Sequence, residues 1–88
     1  MSYQASVTVH DPIGLHARPA GQIVKLVKES GLDVQITNEA GVTAAGSSAL
    51  RMMAMKVKTG EVLSVTVATD DDAAAAAIVE QIQDFLKG

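Results

Sequence analysis

A histidine and an arginine stand two positions apart in residues 14–20, and their types and spacing suit phosphate chemistry. Pro19 follows them directly, and proline favours the first turn of a helix, where its missing N–H costs little. His16 is therefore predicted at a helix N-terminus, where free backbone N–H groups and the macrodipole attract anions. A neutral imidazole keeps a lone pair that can attack phosphorus, and the guanidinium of Arg18 can bind phosphate oxygens. The pattern predicts a histidine that carries a phosphoryl group.

The string GLHARPA at residues 14–20 resembles the active-site motif of the HPr family, the histidine-containing phosphocarriers of the bacterial phosphoenolpyruvate-dependent sugar phosphotransferase system. Chain length and element order are also similar, from about Tyr3 to the C-terminus. The resemblance implies that enzyme I transiently phosphorylates Nδ1 of His16, which then passes the group to the A domain of a sugar-specific enzyme II. We expect the N–H groups of the first helical turn, including those of Ala17 and Arg18, to hold phosphate oxygens, and the Arg18 guanidinium to stabilise charge during transfer.

The resemblance also implies a carrier that is a substrate of two enzymes rather than an enzyme. Such a carrier needs no cofactor or metal of its own, although enzyme I of this family needs magnesium. A paralogous carrier of the nitrogen-related phosphotransferase branch would share the motif, and only its preference between enzyme I types would separate the two. A regulatory binding module of the same fold is a further alternative, but the known homologue of that kind lacks the active histidine, so His16 argues against it.

Composition limits the remaining functions. With 88 residues the chain is expected to form one domain over residues 1–88. It has no cysteine, which excludes disulfides and thiol catalysis and fits a reducing cytoplasm. A net charge of −3 and only two aromatic residues, Tyr3 and Phe85, argue against a nucleic-acid partner. The longest apolar run, residues 73–79, is far shorter than the roughly 20 residues of a membrane span. We expect a monomer in the cytoplasm that neither binds nucleic acid nor inserts into a membrane.

Other candidate groups have simpler interpretations. His10 follows a predicted strand and is most simply a surface residue, because the anion-binding geometry applies to His16 alone. Asp70, Asp71 and Asp72 could bind a divalent cation, but their position before an alanine run favours an N-cap and charges that complement the helix dipole. A hydrolase or metal domain would need a ligand or base cluster that two histidines and no cysteine do not provide.

Hydrophobic periodicity predicts the elements that must position the site. Alternation predicts strands over residues 3–9, 32–37, 42–45 and 62–68, with a hairpin turn at residues 38–41. Helical spacing predicts helices over residues 17–29, stopped near Gly31, over residues 49–56, and after Asp72. The long helices each carry one apolar stripe, formed by Ala20, Ile23, Val24 and Val27 and by Ala74, Ala75, Ile78, Ile82 and Phe85. The pattern favours an α+β fold, a two-layer open-faced sandwich with one covered sheet face. The resemblance implies an antiparallel sheet of order 1-4-2-3 under three helices.

The short helix predicted over residues 49–56 has two apolar sides, and a helix of this length at a domain edge cannot bury both. One side carries Met52 and Met55. Periodicity does not decide which side is exposed, and a core helix with a stray exposed leucine is the alternative. The resemblance selects the other side as a docking face for enzyme I and enzyme II, formed by Ala49, Leu50, Met53 and Ala54. Lys25 and Lys28, on the outer side of the first helix, either balance its dipole or dock an acidic partner surface.

Ser48 precedes the short helix and is expected to cap it, with Ser47 as the alternative cap. Ser48 also stands where the HPr family carries a regulatory phosphorylated serine. The resemblance therefore makes Ser48 a candidate for phosphorylation, which would add a serine kinase/phosphorylase and a transcriptional regulator to the partners. A phosphate there would place about two negative charges beside the docking face and weaken binding.

Overall fold

The computed structural model describes residues 2–88, in which four strands and three helices follow one another along the chain. The strands are β1 (Tyr3–Thr8), β2 (Val34–Thr37), β3 (Thr43–Ala45) and β4 (Val62–Val67). The helices are α1 (Ala17–Ser30), α2 (Ala49–Ala54) and α3 (Asp72–Phe85). The predicted kinds of element and their order are confirmed.

The four strands form one antiparallel sheet in the order β1-β4-β2-β3. On β4, the inward positions Leu63, Val65 and Val67 are completely buried, whereas the alternate positions Ser64 and Thr66 are only partly covered. This alternation means that one face of the sheet packs against the helices and the other faces solvent. The predicted α+β open-faced sandwich of order 1-4-2-3 is confirmed.

The core is aliphatic, because both aromatic residues are only partly buried at its margin. Ala20, Ile23 and Val27 of α1 and Ala75, Ile78 and Ile82 of α3 are buried as the stripes predict. Val24, Ala74 and Phe85 are half-buried instead, so each stripe is narrower than predicted. Pro19 and Leu86, which the predicted stripes leave out, are buried and extend the core at the start of α1 and the end of α3.

Element ends differ from the prediction by one or two residues. Helix α1 continues to Ser30 and ends at Gly31, whose φ of 69° is left-handed and favours glycine. Helix α2 ends at Ala54 rather than at residue 56, and Lys56 has a φ of 53°. The predicted hairpin turn is present, since Gly41 donates its N–H to the carbonyl of Asn38 at 3.0 Å.

The acidic run before α3 acts as the cap that the sequence favours. Asp71 is the N-cap, and its Oδ1 accepts a hydrogen bond from the Ala74 N–H at 3.1 Å. Asp72 lies in the first turn, where a negative charge complements the dipole. Within residues 2–88, no cluster of three or more histidine, cysteine or acidic side chains is arranged to hold a metal ion.

Candidate functional site

His16 is the N-cap residue of α1, in extended backbone with a φ of −104° and a ψ of −172°. The loop before it is held tightly. Leu15 is buried and donates its N–H to the Val57 carbonyl at 3.1 Å. Gly14 has a φ of 89°, and a Cβ at this position would collide with the same carbonyl oxygen. Glycine at this position lets the loop approach the segment after α2 closely enough to fix His16 at the helix end.

The first backbone N–H groups of α1 are open. The His16 side chain makes no capping hydrogen bond. Among residues 2–88, no acceptor pairs with the N–H of Ala17 or of Arg18, and Pro19 has none to offer. The N-terminus of α1 therefore presents two free donors and the positive end of the helix dipole beside the imidazole, as the sequence predicts.

The imidazole of His16 is 28% exposed and is held at one nitrogen only. Its Nε2 lies 3.0 Å from Oδ2 of Asp11. An ionised carboxylate can only accept a hydrogen bond, so in the neutral ring the proton is on Nε2 and Nδ1 keeps its lone pair. No group in the described part of the chain is hydrogen-bonded to Nδ1. The ring is therefore oriented with an accessible Nδ1, the nitrogen that the resemblance implies is phosphorylated.

Asp11 is a site residue that the sequence reasoning missed. Its side chain is only 3% exposed, and its two oxygens accept three hydrogen bonds. Oδ2 binds Nε2 of His16 and Nη2 of Arg18, the latter at 2.6 Å, and Oδ1 accepts the Ile13 N–H at 2.9 Å. The backbone hydrogen bond from Ile13 lowers the pKa of Asp11 most; burial opposes it, and His16 and Arg18 lower it further. Asp11 is therefore a carboxylate at neutral pH.

Contacts distant in sequence hold Asp11 within hydrogen-bond distance of the imidazole. The N–H groups of His10 and Asp11 both donate to the Leu86 carbonyl at the end of α3, at 2.9 and 2.8 Å. The Thr59 hydroxyl donates to the Asp11 carbonyl. The local signal that could have found Asp11 is the Asp-Pro pair after a strand, since aspartate commonly accepts the backbone N–H two residues on. That signal predicts the turn but not the contact with His16.

Arg18 extends from the first turn of α1, and its side chain is 47% exposed. Besides its ion pair with Asp11, it donates Nη1 to Oε1 of Gln22 at 3.2 Å. The guanidinium and the imidazole line one open cleft together with Asp11, Pro12, Ile13 and Gly88. His16 and Arg18 therefore line the same cleft, to which Asp11 adds a carboxylate, and Ala17 lies between them in the chain at the start of α1.

The predicted docking side of α2 is only partly open. Leu50 is 79% exposed and Ala54 is exposed, whereas Ala49 and Met53 are half-buried against the core. On the other side Met52 is completely buried. The exposed side of α2 is therefore the one that carries Leu50.

The remaining predicted residues lie outside the cleft. The Ser48 hydroxyl accepts the Arg51 N–H at 3.3 Å, which makes Ser48 the N-cap of α2 rather than Ser47. Lys25 and Lys28 are exposed and form no ion pair within residues 2–88, and Lys28 lies in the last turn of α1, where its charge suits the dipole. His10 is exposed, and its backbone rather than its ring makes the contact with Leu86.

None of the helices in residues 2–88 has both the length and the apolar character that crossing a membrane would require.

Residues 3–87 match the model of a family described as PTS HPr component phosphorylation site. The phosphocarrier protein HPr of Borreliella burgdorferi is 32% identical over 73 residues, which cover 82% of this chain and 84% of that protein.

Solved structures of phosphocarriers have the same fold. The phosphocarrier protein HPr of Bacillus anthracis superposes with a TM-score of 0.81 at 26% identity, over 97% of this chain and 96% of that one. The histidine-containing phosphocarrier protein of Mycoplasma gives a TM-score of 0.80 at 28% identity, over 98% and 100%. Because the family match spans nearly all of the chain, this protein belongs to the HPr family, the phosphocarriers of the phosphotransferase system, which carry a phosphoryl group and are not themselves catalysts.

Proposed function

We propose that this protein accepts a phosphoryl group on Nδ1 of His16 from phospho-enzyme I and passes it to the A domain of a sugar-specific enzyme II in the cytoplasm. The proposal rests on how the imidazole is oriented at the start of α1. Asp11 holds Nε2, which leaves Nδ1 open beside the free N–H groups of Ala17 and Arg18. This arrangement supports the proposal, because the nitrogen and the N–H groups to which it assigns the phosphate lie beside one another.

In the proposed transfer, the groups at the start of α1 act directly on the phosphoryl group. The Nδ1 lone pair forms the new bond to phosphorus, while the electron pair of the old bond stays on enzyme I. The N–H groups of Ala17 and Arg18 and the Arg18 guanidinium bind the phosphoryl oxygens, where charge is concentrated during transfer. The second transfer, to enzyme II, is the same step in reverse with His16 as the leaving group.

Docking of both partners is assigned to the exposed side of α2 and to α1. Leu50 and Ala54 offer apolar surface, and Met53 beside them has a flexible side chain that can fit more than one partner. Helix α2 packs against α1, so a protein that covers Leu50 also lies close to the helix that begins beside His16. Lys25 and Lys28 would meet acidic groups of the partner and increase the rate of association.

The proposal is tested by phosphorylation with phosphoenolpyruvate labelled in its phosphate, magnesium and enzyme I. We expect an acid-labile label on this protein and none on His16→Ala. His10→Ala is the matched control, because His10 is the other histidine and its ring lies outside the cleft. A label that persists in His16→Ala, or is lost in His10→Ala, would contradict the assignment. Comparing the rates with the sugar-branch and nitrogen-branch types of enzyme I then identifies the branch.

A further inference from the structure

Asp11 is the buried charge of the cleft, and its contacts go beyond orienting the imidazole before transfer. Oδ2 of Asp11 contacts both functional side chains, Nε2 of His16 at 3.0 Å and Nη2 of Arg18 at 2.6 Å. Of the described residues that line the cleft around His16, Asp11 and Arg18 alone have charged side chains, since Pro12, Ile13 and Gly88 contribute none. The carboxylate that contacts the imidazole directly is that of Asp11, and the Arg18 guanidinium binds the same oxygen, Oδ2.

We propose that Asp11 is a positioning residue that keeps the Nε2 proton on His16 throughout the transfer and so sets how readily phosphorylated His16 gives up its phosphoryl group. This inference rests on the proposed phosphorylation of His16. It extends to this carrier the role that a buried aspartate has beside a catalytic histidine, which is to fix the tautomer and stabilise the imidazolium that forms.

The charges of the transfer step show why the carboxylate matters. The form of the ring that attacks phosphorus is the neutral one, with its proton on Nε2 facing Asp11. When the Nδ1 lone pair bonds to phosphorus, the ring becomes an imidazolium that still bears the Nε2 proton, and Asp11 faces that proton directly. In the return step the electrons of the N–P bond go back to Nδ1, and the ring leaves as neutral imidazole. Loss of the Nε2 proton would make the ring a poorer leaving group, so the carboxylate keeps the phosphorylated ring in its labile form.

The contact between Asp11 and Arg18 also makes phosphorylated His16 more labile. The guanidinium is bound at its Nη2 by Asp11, so a phosphoryl group on His16 must share this cation with the carboxylate. Without Asp11 the guanidinium would be free to bind the phosphoryl oxygens fully. Removal of the carboxylate is therefore expected to make phosphorylated His16 more stable through both contacts.

The test compares Asp11→Asn with the wild type after phosphorylation by enzyme I and removal of the donor. The amide oxygen of asparagine can still accept the Nε2–H, so this variant removes the charge and retains an acceptor. We expect the midpoint of the pH profile of phosphohistidine hydrolysis to be lower in Asp11→Asn than in the wild type by at least about one pH unit. At a pH above the midpoints of both proteins, the variant should then hydrolyse roughly tenfold more slowly. Asp84→Asn, which removes an exposed carboxylate paired with Lys87, is the matched control and should leave the profile unchanged.

A second measurement needs neither phosphorylation nor a variant. The ¹⁵N spectrum of the unphosphorylated wild type at pH 8 should show His16 protonated at Nε2 and bare at Nδ1. A ring protonated at Nδ1, or a hydrolysis profile of Asp11→Asn that matches the wild type, would overturn the role of Asp11. Absence of any transfer from enzyme I would instead overturn the proposed function, and the spectrum would still test Asp11.

Discussion

Replacement of Leu50 is expected to weaken binding of enzyme I and leave the fold intact. Leu50 lies on the exposed side of α2, and 79% of its surface is accessible in the free protein. Its side chain therefore contributes little to the stability of the domain. A partner that docks on α2 would remove most of this surface from water, and the free energy gained would appear in affinity rather than in stability.

The size of the effect follows from the exposed fraction. Complete burial of a leucine side chain is worth about 1.5–3 kcal/mol, and scaling by the 79% that docking can still bury leaves roughly 1–2 kcal/mol. Each 1.4 kcal/mol is tenfold in the dissociation constant, so Leu50→Ala should raise the Kd for enzyme I roughly 5- to 30-fold. Leu50→Glu should raise it further, because the interface would then bury an unpaired charge.

Calorimetric titration of the unphosphorylated protein with enzyme I measures the affinity, and urea unfolding checks the fold. The free energy of unfolding of Leu50→Ala should stay within about 0.5 kcal/mol of the wild type. Val62→Ala is the matched control, since Val62 is also an exposed aliphatic residue, 42% accessible, but lies on the open face of the sheet. Equal affinity of the wild type, Leu50→Ala and Leu50→Glu would show that enzyme I does not dock on this side of α2.

Three further outcomes are expected. Arg18→Ala should slow transfer from phospho-enzyme I by about 10²-fold in rapid-quench kinetics with the fold retained, and an unchanged rate would remove Arg18 from the mechanism. Ser48→Asp should weaken enzyme I binding through its charge and keep the cap of α2. Ser48→Ala should lose about 1 kcal/mol of stability in urea unfolding and bind enzyme I normally. Normal binding by both variants would contradict the proposed effect of phosphorylation. Because the pKa of Asp11 is lowered from 3.8 in the fold, the stability it contributes is complete above that pH and is lost as the pH falls further. The stability difference between the wild type and Asp11→Asn should accordingly shrink below pH 3.8 in urea titrations, and a difference independent of pH would refute this linkage.

Local patterns predicted the features of this fold that depend on neighbours in sequence. Alternation on β4 separates Leu63, Val65 and Val67 from polar positions because a strand has two faces. Gly31 ends α1 because a left-handed residue is needed there. The strand order is not a local property, and it was predicted through the family resemblance rather than through periodicity.

In the site, too, the predictable features are those that depend on neighbours in sequence. The positions of His16 and Arg18 follow from the helix start, which proline and the preceding loop make visible in the sequence. Asp11 was missed because its position depends on the Leu86 carbonyl, 75 residues further along the chain, which binds the Asp11 N–H. On α2 the exposure of Leu50 and the burial of Met52 depend on how the helix packs against α1, and two apolar sides leave that choice open.

A phosphoryl carrier must bind its cargo well enough to receive it and weakly enough to release it. The free N–H groups of α1 and the guanidinium of Arg18 all favour phosphate, and with these donors alone the phosphorylated state would be overstabilised, so that the second transfer would slow. Asp11 opposes them by pairing with the guanidinium while it stabilises the protonated leaving ring. The same carboxylate thus favours departure of the phosphoryl group through both of its contacts, and this balance is the property that the hydrolysis profile of Asp11→Asn measures.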